Sequence, residues 1–200
     1  MPLVEVEGQG YIHYRKGSIV MFALQDYIGE ERVNTALRNF LKDWQYPGPD
    51  HSKGRYPTSR DLLGYFKEQT PDSLQYLIKD MFETITLYEN KTNDVTYQKL
   101  QNGKYEVIIQ SKNEKFRADE KGNEKAIDFS DWMDVGVYTE GKDGQEKLIY
   151  LKKHLIKSGA NTIKVIVDKK PSMGGVDPVN KLIDRHSDDN RKSASLEEEA

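Results

Sequence analysis

The hydrophobic period of this 200-residue chain changes once, near Tyr88. Ahead of that point apolar residues recur three and four apart, the spacing that puts them on one side of a helix; beyond it they alternate, as in a strand with one buried face. The two patterns cannot exchange, because a helical stripe laid out as a strand scatters its apolar side chains over both faces. The expected fold class is therefore α+β. An N-terminal helical segment of about four helices occupies residues 1–88, an immunoglobulin-like β-sandwich residues 89–170, and an irregular, largely disordered tail residues 171–200.

The helical segment reads in four steps. From Ser18 to Tyr27 the apolar residues Ile19, Val20, Phe22, Ala23, Leu24 and Tyr27 cover most of a helix circumference, and Gly29 ends the run. Glu30 and Glu31 favour a second helix start, followed by the single stripe Val33, Leu37, Phe40, Leu41 and Trp44. Residues 46–56 hold two prolines and two glycines in eleven positions and predict a loop. Thr58, with Asp61 three residues on, predicts the capped start of a third helix carrying Leu62, Leu63 and Phe66. Thr70-Pro71 opens a fourth, with Leu74, Leu77, Ile78, Met81 and Phe82 on one side.

Beyond Tyr88, Asn102-Gly103 between Val95-Thr96-Tyr97 and residues 105–111 is a hairpin signal. Further strands are expected at 115–117, 125–129, 133–138, 148–151 and 162–167, making about seven in all with turns every 8 to 12 residues. The last stretch, 187–200, is charged and nearly devoid of apolar residues, hence the expected disorder.

Composition narrows the function classes. With 30 basic and 33 acidic residues, nearly balanced within each of the two parts, no field favours nucleic acid or a membrane surface. No apolar run reaches the roughly 20 residues of a spanning helix, and residues 1–10 lack a signal-peptide pattern, so the chain as given is expected to be soluble. The absence of cysteine excludes disulfides and thiolate chemistry. His13, His51, His154 and His186 are scattered, with no H-E-x-x-H pair, so this chain alone is expected to bind no metal. Asp188-Asp189-Asn190 lacks the glycine turn and terminal glutamate of a calcium loop and reads as solvated tail. Asn90-Lys91-Thr92 is formally a glycosylation sequon.

One stretch carries chemistry: Tyr14-Arg15-Lys16-Gly17, directly before the first helix. It resembles the Y-x-K-G motif of the membrane alanyl aminopeptidase (gluzincin) family of zinc metallopeptidases. Gly29-Glu30-Glu31, the helix 33–41 and the Thr58-capped helix follow in the family's order. Residues 14–18, 23–31 and 177–185 resemble bacterial proteins in which such a peptidase region follows an ABC-transporter permease, and the similarity spans about residues 10–190.

The resemblance implies that Tyr14 is the catalytic residue supplied by this chain, donating its hydroxyl to the oxyanion of the tetrahedral intermediate. A neutral phenol held by a helix start can stabilise developing negative charge without losing its proton. It implies zinc and a peptide substrate in an intact parent, held by an upstream catalytic domain, and membrane attachment only through an upstream permease. That places the parent at the bacterial cell membrane, with the peptidase region extracytoplasmic. The zinc ligands and the amino-terminus-gripping G-x-M-E-N segment are missing here, so the chain is expected to be a C-terminal fragment, inactive by itself. Val20, Phe22 and Leu24 are then expected to present apolar surface that the parent buries. Lys16 is expected to hold the turn through backbone carbonyls, Gly17 to permit close packing, and His13 to be a structural or surface histidine that points away from Tyr14 if the segment is extended. The alternative is a non-catalytic binding or scaffolding module of a transporter-associated protein, using exposed sheet edges for strand addition.

Overall fold

The structure is a computed structural model and describes residues 1–6, 8, 10–45, 56–141 and 143–197. The expected loop over 46–56, with His51, falls almost wholly outside them. The chain forms two compact units, residues 1–86 with 118–123 and residues 87–117 with 124–200. Helices precede strands, and the α+β class holds.

In the first unit α1 spans Gly17–Ile28, α2 Glu30–Trp44, α3 Ser59–Gln69 and α4 Gln75–Ile78. Gly29, at φ 91°, makes the break between α1 and α2 in a conformation that costs any other residue strain. Thr58 and Asp61 form the anticipated capping box: Asp61 N–H donates to Thr58 Oγ1 at 3.4 Å and Thr58 N–H to Asp61 Oδ2 at 2.8 Å. The fourth helix is short because a 3-10 turn (Asp72–Leu74) leads into α4 and a wider π turn (Lys79–Glu83) leaves it. Its apolar residues are buried all the same, and Phe82 stacks on Phe66 with ring centroids 6.0 Å apart. Val20 and Leu24 belong to this core, at 2% and 0% exposure, whereas Phe22 stands 58% exposed. The expectation that all three are bare is therefore corrected: the helices bury α1 against one another.

The second unit contains β1 (Ile85–Lys99, which begins two residues earlier), β2 (Tyr105–Ala118), β3 (Glu124–Ala126), β4 (Ser130–Glu140), β5 (Glu146–Lys157), β6 (Gly159–Val167), β7 (Met173–Val176), β8 (Arg191–Ser193) and β9 (Ser195–Leu196). One sheet has the order β3-β2-β1-β9, with β6 also paired to β2, and the other the order β5-β4-β7-β8. They face each other across a core of Val95, Val107, Ile109, Met133, Val135 and Val137, all at 0% exposure. A Cβ on Gly174 of β7 would lie 3.3 Å from Val95 Cγ1 and Ile109 Cδ1, so the glycine lets the second sheet close on the first. The segments 105–111 and 115–117 are one strand. Their continuity is hidden in the sequence because inward positions 111, 113 and 115 are Ser, Asn and Lys.

Those polar groups are paired within the sandwich. Asn113 Nδ2 donates to Asn90 Oδ1 at 2.9 Å, and Ser111 Oγ donates to Asn113 Oδ1 at 2.7 Å. Lys115 Nζ meets Asp131 Oδ2 at 2.6 Å and lies 5.2 Å from the Tyr88 ring centroid. With Asn90 at 0% and Thr92 at 4% exposure, the sequon is closed to glycosylation in the folded chain.

The largest departure is the C-terminal segment. Expected to be irregular and largely disordered over 171–200, it contributes β7, β8 and β9 and sews both sheets along one side. Asp177, in the left-handed region at φ 47°, accepts from the Lys181 and Leu182 backbone N–H groups at 2.9 and 3.0 Å and closes a turn. Lys181 Nζ reaches Asp134 Oδ2 at 2.6 Å, and Lys153 Nζ reaches the other oxygen at 3.0 Å. Pro178 lies where a Cβ on Gly136 would be, 2.6 Å from its Cγ. Tyr88 N–H then donates to Ile183 O at 2.8 Å and Asn90 N–H to Asp184 Oδ2 at 2.8 Å, carrying the chain to β1. Asn190, read as solvated tail, is 0% exposed, with its carbonyl accepting from Thr92 Oγ1 at 2.6 Å. Sparse apolar content misled here because the segment is held by polar contacts, which hydrophobic periodicity does not register. No helix among the described residues is long and apolar enough to cross a membrane.

Asp134→Ala removes the carboxylate that two lysines share inside the fold, and the expected cost is about 3–5 kcal/mol of unfolding free energy, measured by urea titration. Burial pushes the Asp177 carboxyl up to about 7 against the pull of its two N–H donors, with the Asp134 and Asp184 charges adding to the rise. A carboxyl that holds its proton more tightly folded than unfolded stabilises the fold at pH below about 3.8 and loses that contribution as pH rises to about 7. Asp177→Asn should flatten this part of the stability profile; urea midpoints at pH 4, 5.5 and 7 provide the comparison.

Candidate functional site

The Tyr14 stretch is a single π-helical turn, Tyr11–Lys16, running without a break into α1. The segment is helical, not extended, so the condition under which strand alternation would set His13 and Tyr14 apart is not met. A π turn spaces side chains wider than an α turn and occurs mainly as isolated turns, often at functional sites. Tyr14 stands at 75% exposure, with the backbone of Gly10 one turn earlier close beneath it: a Cβ there would lie 3.8 Å from Tyr14 Cδ2.

Its neighbours take roles different from those anticipated. Lys16 is partly buried, and burial lowers the pKa of its ammonium from the ordinary value. Among the described residues, the hydrogen bond to a carbonyl of this turn comes from Ser18, whose Oγ donates to Arg15 O at 2.9 Å. Gly17 has no atom within 4 Å of the place a Cβ would take, so close packing does not account for it. It lies instead on the wall of a cleft of about 290 Å³, with Val6, Met21, Leu62, Phe66 and Phe82 among the other walls. Among the described residues, Ser59 carries the cleft's only polar side chain. Such a cleft can take an apolar side chain, and its described walls carry no acid, base or charge to orient a polar ligand.

Among the described residues no group of three or more histidine, aspartate or glutamate side chains could hold a metal ion. The Asp188-Asp189-Asn190 run forms a 3-10 turn, Ser187–Asp189, leading into the buried Asn190.

A second cluster escaped the sequence reading. On β5, Tyr150 Oη and His154 Nε2 lie 2.8 Å apart, and Lys152 Nζ lies 5.7 Å from the Tyr150 ring centroid. Burial raises the tyrosine pKa; burial and the Lys152 charge lower that of the histidine. Both are therefore neutral near pH 7, sharing one hydrogen bond beside a cation. The signal available in the sequence was their placement at alternate positions, which puts all three on one strand face.

Compared with models of protein families and with curated proteins, the chain matches none.

Proposed function

We propose that this chain is the C-terminal part of a zinc aminopeptidase-like protein, to which it supplies the oxyanion-stabilising Tyr14. One observation supports the reading: the phenol is 75% exposed at the root of a helix whose other side is packed, so it is presented outward from a rigid base. Its hydroxyl would donate to the carbonyl oxygen of a peptide as negative charge builds there, and stay protonated throughout. The peptide-gripping groups, the metal and the general base come from a companion segment of the parent. That parent carries a permease region in the membrane and displays this part outside the cytoplasm. A second reading, a non-catalytic binding or scaffolding module, is favoured by a different observation: no strand among the described residues pairs along the outer edge of β5.

In the longer parent protein, Tyr14→Phe deletes one hydroxyl and keeps the ring. Peptidase kcat on an aminoacyl fluorogenic substrate should fall about 100- to 1000-fold with KM little changed. Turnover equal to that of the wild type would remove Tyr14 from the chemistry.

A further inference from the structure

β5 ends its sheet, and its two faces differ in chemistry. Its register with β4 places Leu148, Leu151 and Leu155 opposite Tyr138, Gly136 and Trp132, on the side away from the other sheet. These leucines are 36–47% exposed, and Trp132 beside them 42%. Lys147, Lys152 and His154 lie opposite Thr139, Val135 and Met133, on the other face. Lys147 and Lys152 are exposed, and neither forms an ion pair among the described residues. Of the remaining charges of the strand, Lys153, in the leucine row, is held by Asp134, Glu146 is held by Arg191, and Lys157 lies at the far end of that row, opposite Ser130.

We infer that the outer edge of β5 accepts an extended acidic peptide whose residues alternate apolar and carboxylate, added as a fifth strand to this sheet. The inference rests on the binding-module reading and is independent of Tyr14. A strand laid along this edge obtains its backbone hydrogen bonds from β5, and the pleat does the rest. One set of its side chains must fall beside the leucine row, and the alternate set beside Lys147 and Lys152. Directly paired residues share a face, so apolar meets apolar and carboxylate meets ammonium only if the incoming sequence has period two. The charge also selects against a second copy of this chain. Two β5 strands paired with one another would bring a lysine-rich edge against its like, an arrangement that natural edge strands use to avoid self-association.

The test uses the full chain and a fluorescein-labelled eight-residue peptide of alternating leucine and glutamate, blocked at both ends. Two control peptides carry lysine in place of glutamate, or the same residues in two blocks. Polarisation should show saturable binding of the alternating acidic peptide alone, and hydrogen exchange should show new protection along β5. The double variant Lys147→Glu/Lys152→Glu changes two exposed residues and should fold normally. It should lose about tenfold in affinity for the acidic peptide and gain binding of the lysine peptide. Equal binding of the block peptide, unchanged affinity in the double variant, or absence of binding overturns the inference. So does a sedimenting dimer that protects β5, which would make a second copy the occupant. Binding that protects a different edge leaves the module reading standing while removing β5 from it.

Discussion

Asp134 sits on the face of β4 turned away from the sandwich core, yet it is 4% exposed because Lys181 and Lys153 close over it from two sides. The C-terminal third of the strand unit depends on this carboxylate. A buried charge of this kind is tolerated only where a counter-charge and well-placed donors repay its lost hydration. Here the counter-charge arrives on a segment distant in sequence. The Asp177 turn aims Lys181 at Asp134, Pro178 fills the space that Gly136 leaves, and the chain then proceeds to β1 and supplies β8 and β9. The pair is one of several contacts that hold this segment, beside the β4–β7 and β7–β8 ladders and the hydrogen bonds from Tyr88 and Asn90.

The interior of the sandwich repeats this economy in neutral form. Asn90, Asn113, Ser111 and Asn161 are linked by side-chain hydrogen bonds where an apolar layer would be expected, with Asn90 Nδ2 left unpartnered, and Lys115 is enclosed by Asp131 with the rings of Tyr88 and Phe129. Directional groups of this sort allow fewer alternative packings than hydrocarbon does, and each demands its partner at a set distance. The helical unit is built differently. Its core is mostly apolar, centred on Phe66 against Phe82, with Thr70 and Asp80 buried beside it and Tyr14 displayed on the outside.

Much of this was legible beforehand. The capping box at Thr58 and Asp61 and the break at Gly29 follow from local chemistry, because the partners are three residues apart or are the residue's own backbone. Tyr14 could be singled out from its motif, whereas its wide helical turn could not, since a π turn differs from an α turn by one residue of register and carries no residue signature of its own. The pairing of Tyr150 with His154, and the two-faced character of β5, needed the register with β4 before exposure could be assigned to either row. The exposed Phe22 and buried Val20 were likewise indistinguishable in a run that is apolar all round.

By itself the sequence determined the order of helices and strands, the points where helices begin and end, and the types of residue available for chemistry. Those are properties of neighbours along the chain, set by period, capping and turn preference. Only the tertiary structure decided that residues 171–197 are ordered, that the sequon is buried, and that β5 has an edge unpaired among the described residues, with Leu148, Leu151 and Leu155 on one face and Lys147 and Lys152 on the other. Each of those outcomes turns on groups far apart in sequence meeting at hydrogen-bond distance, as Asp134 and Lys181 do at 2.6 Å, and local pattern holds no record of such meetings.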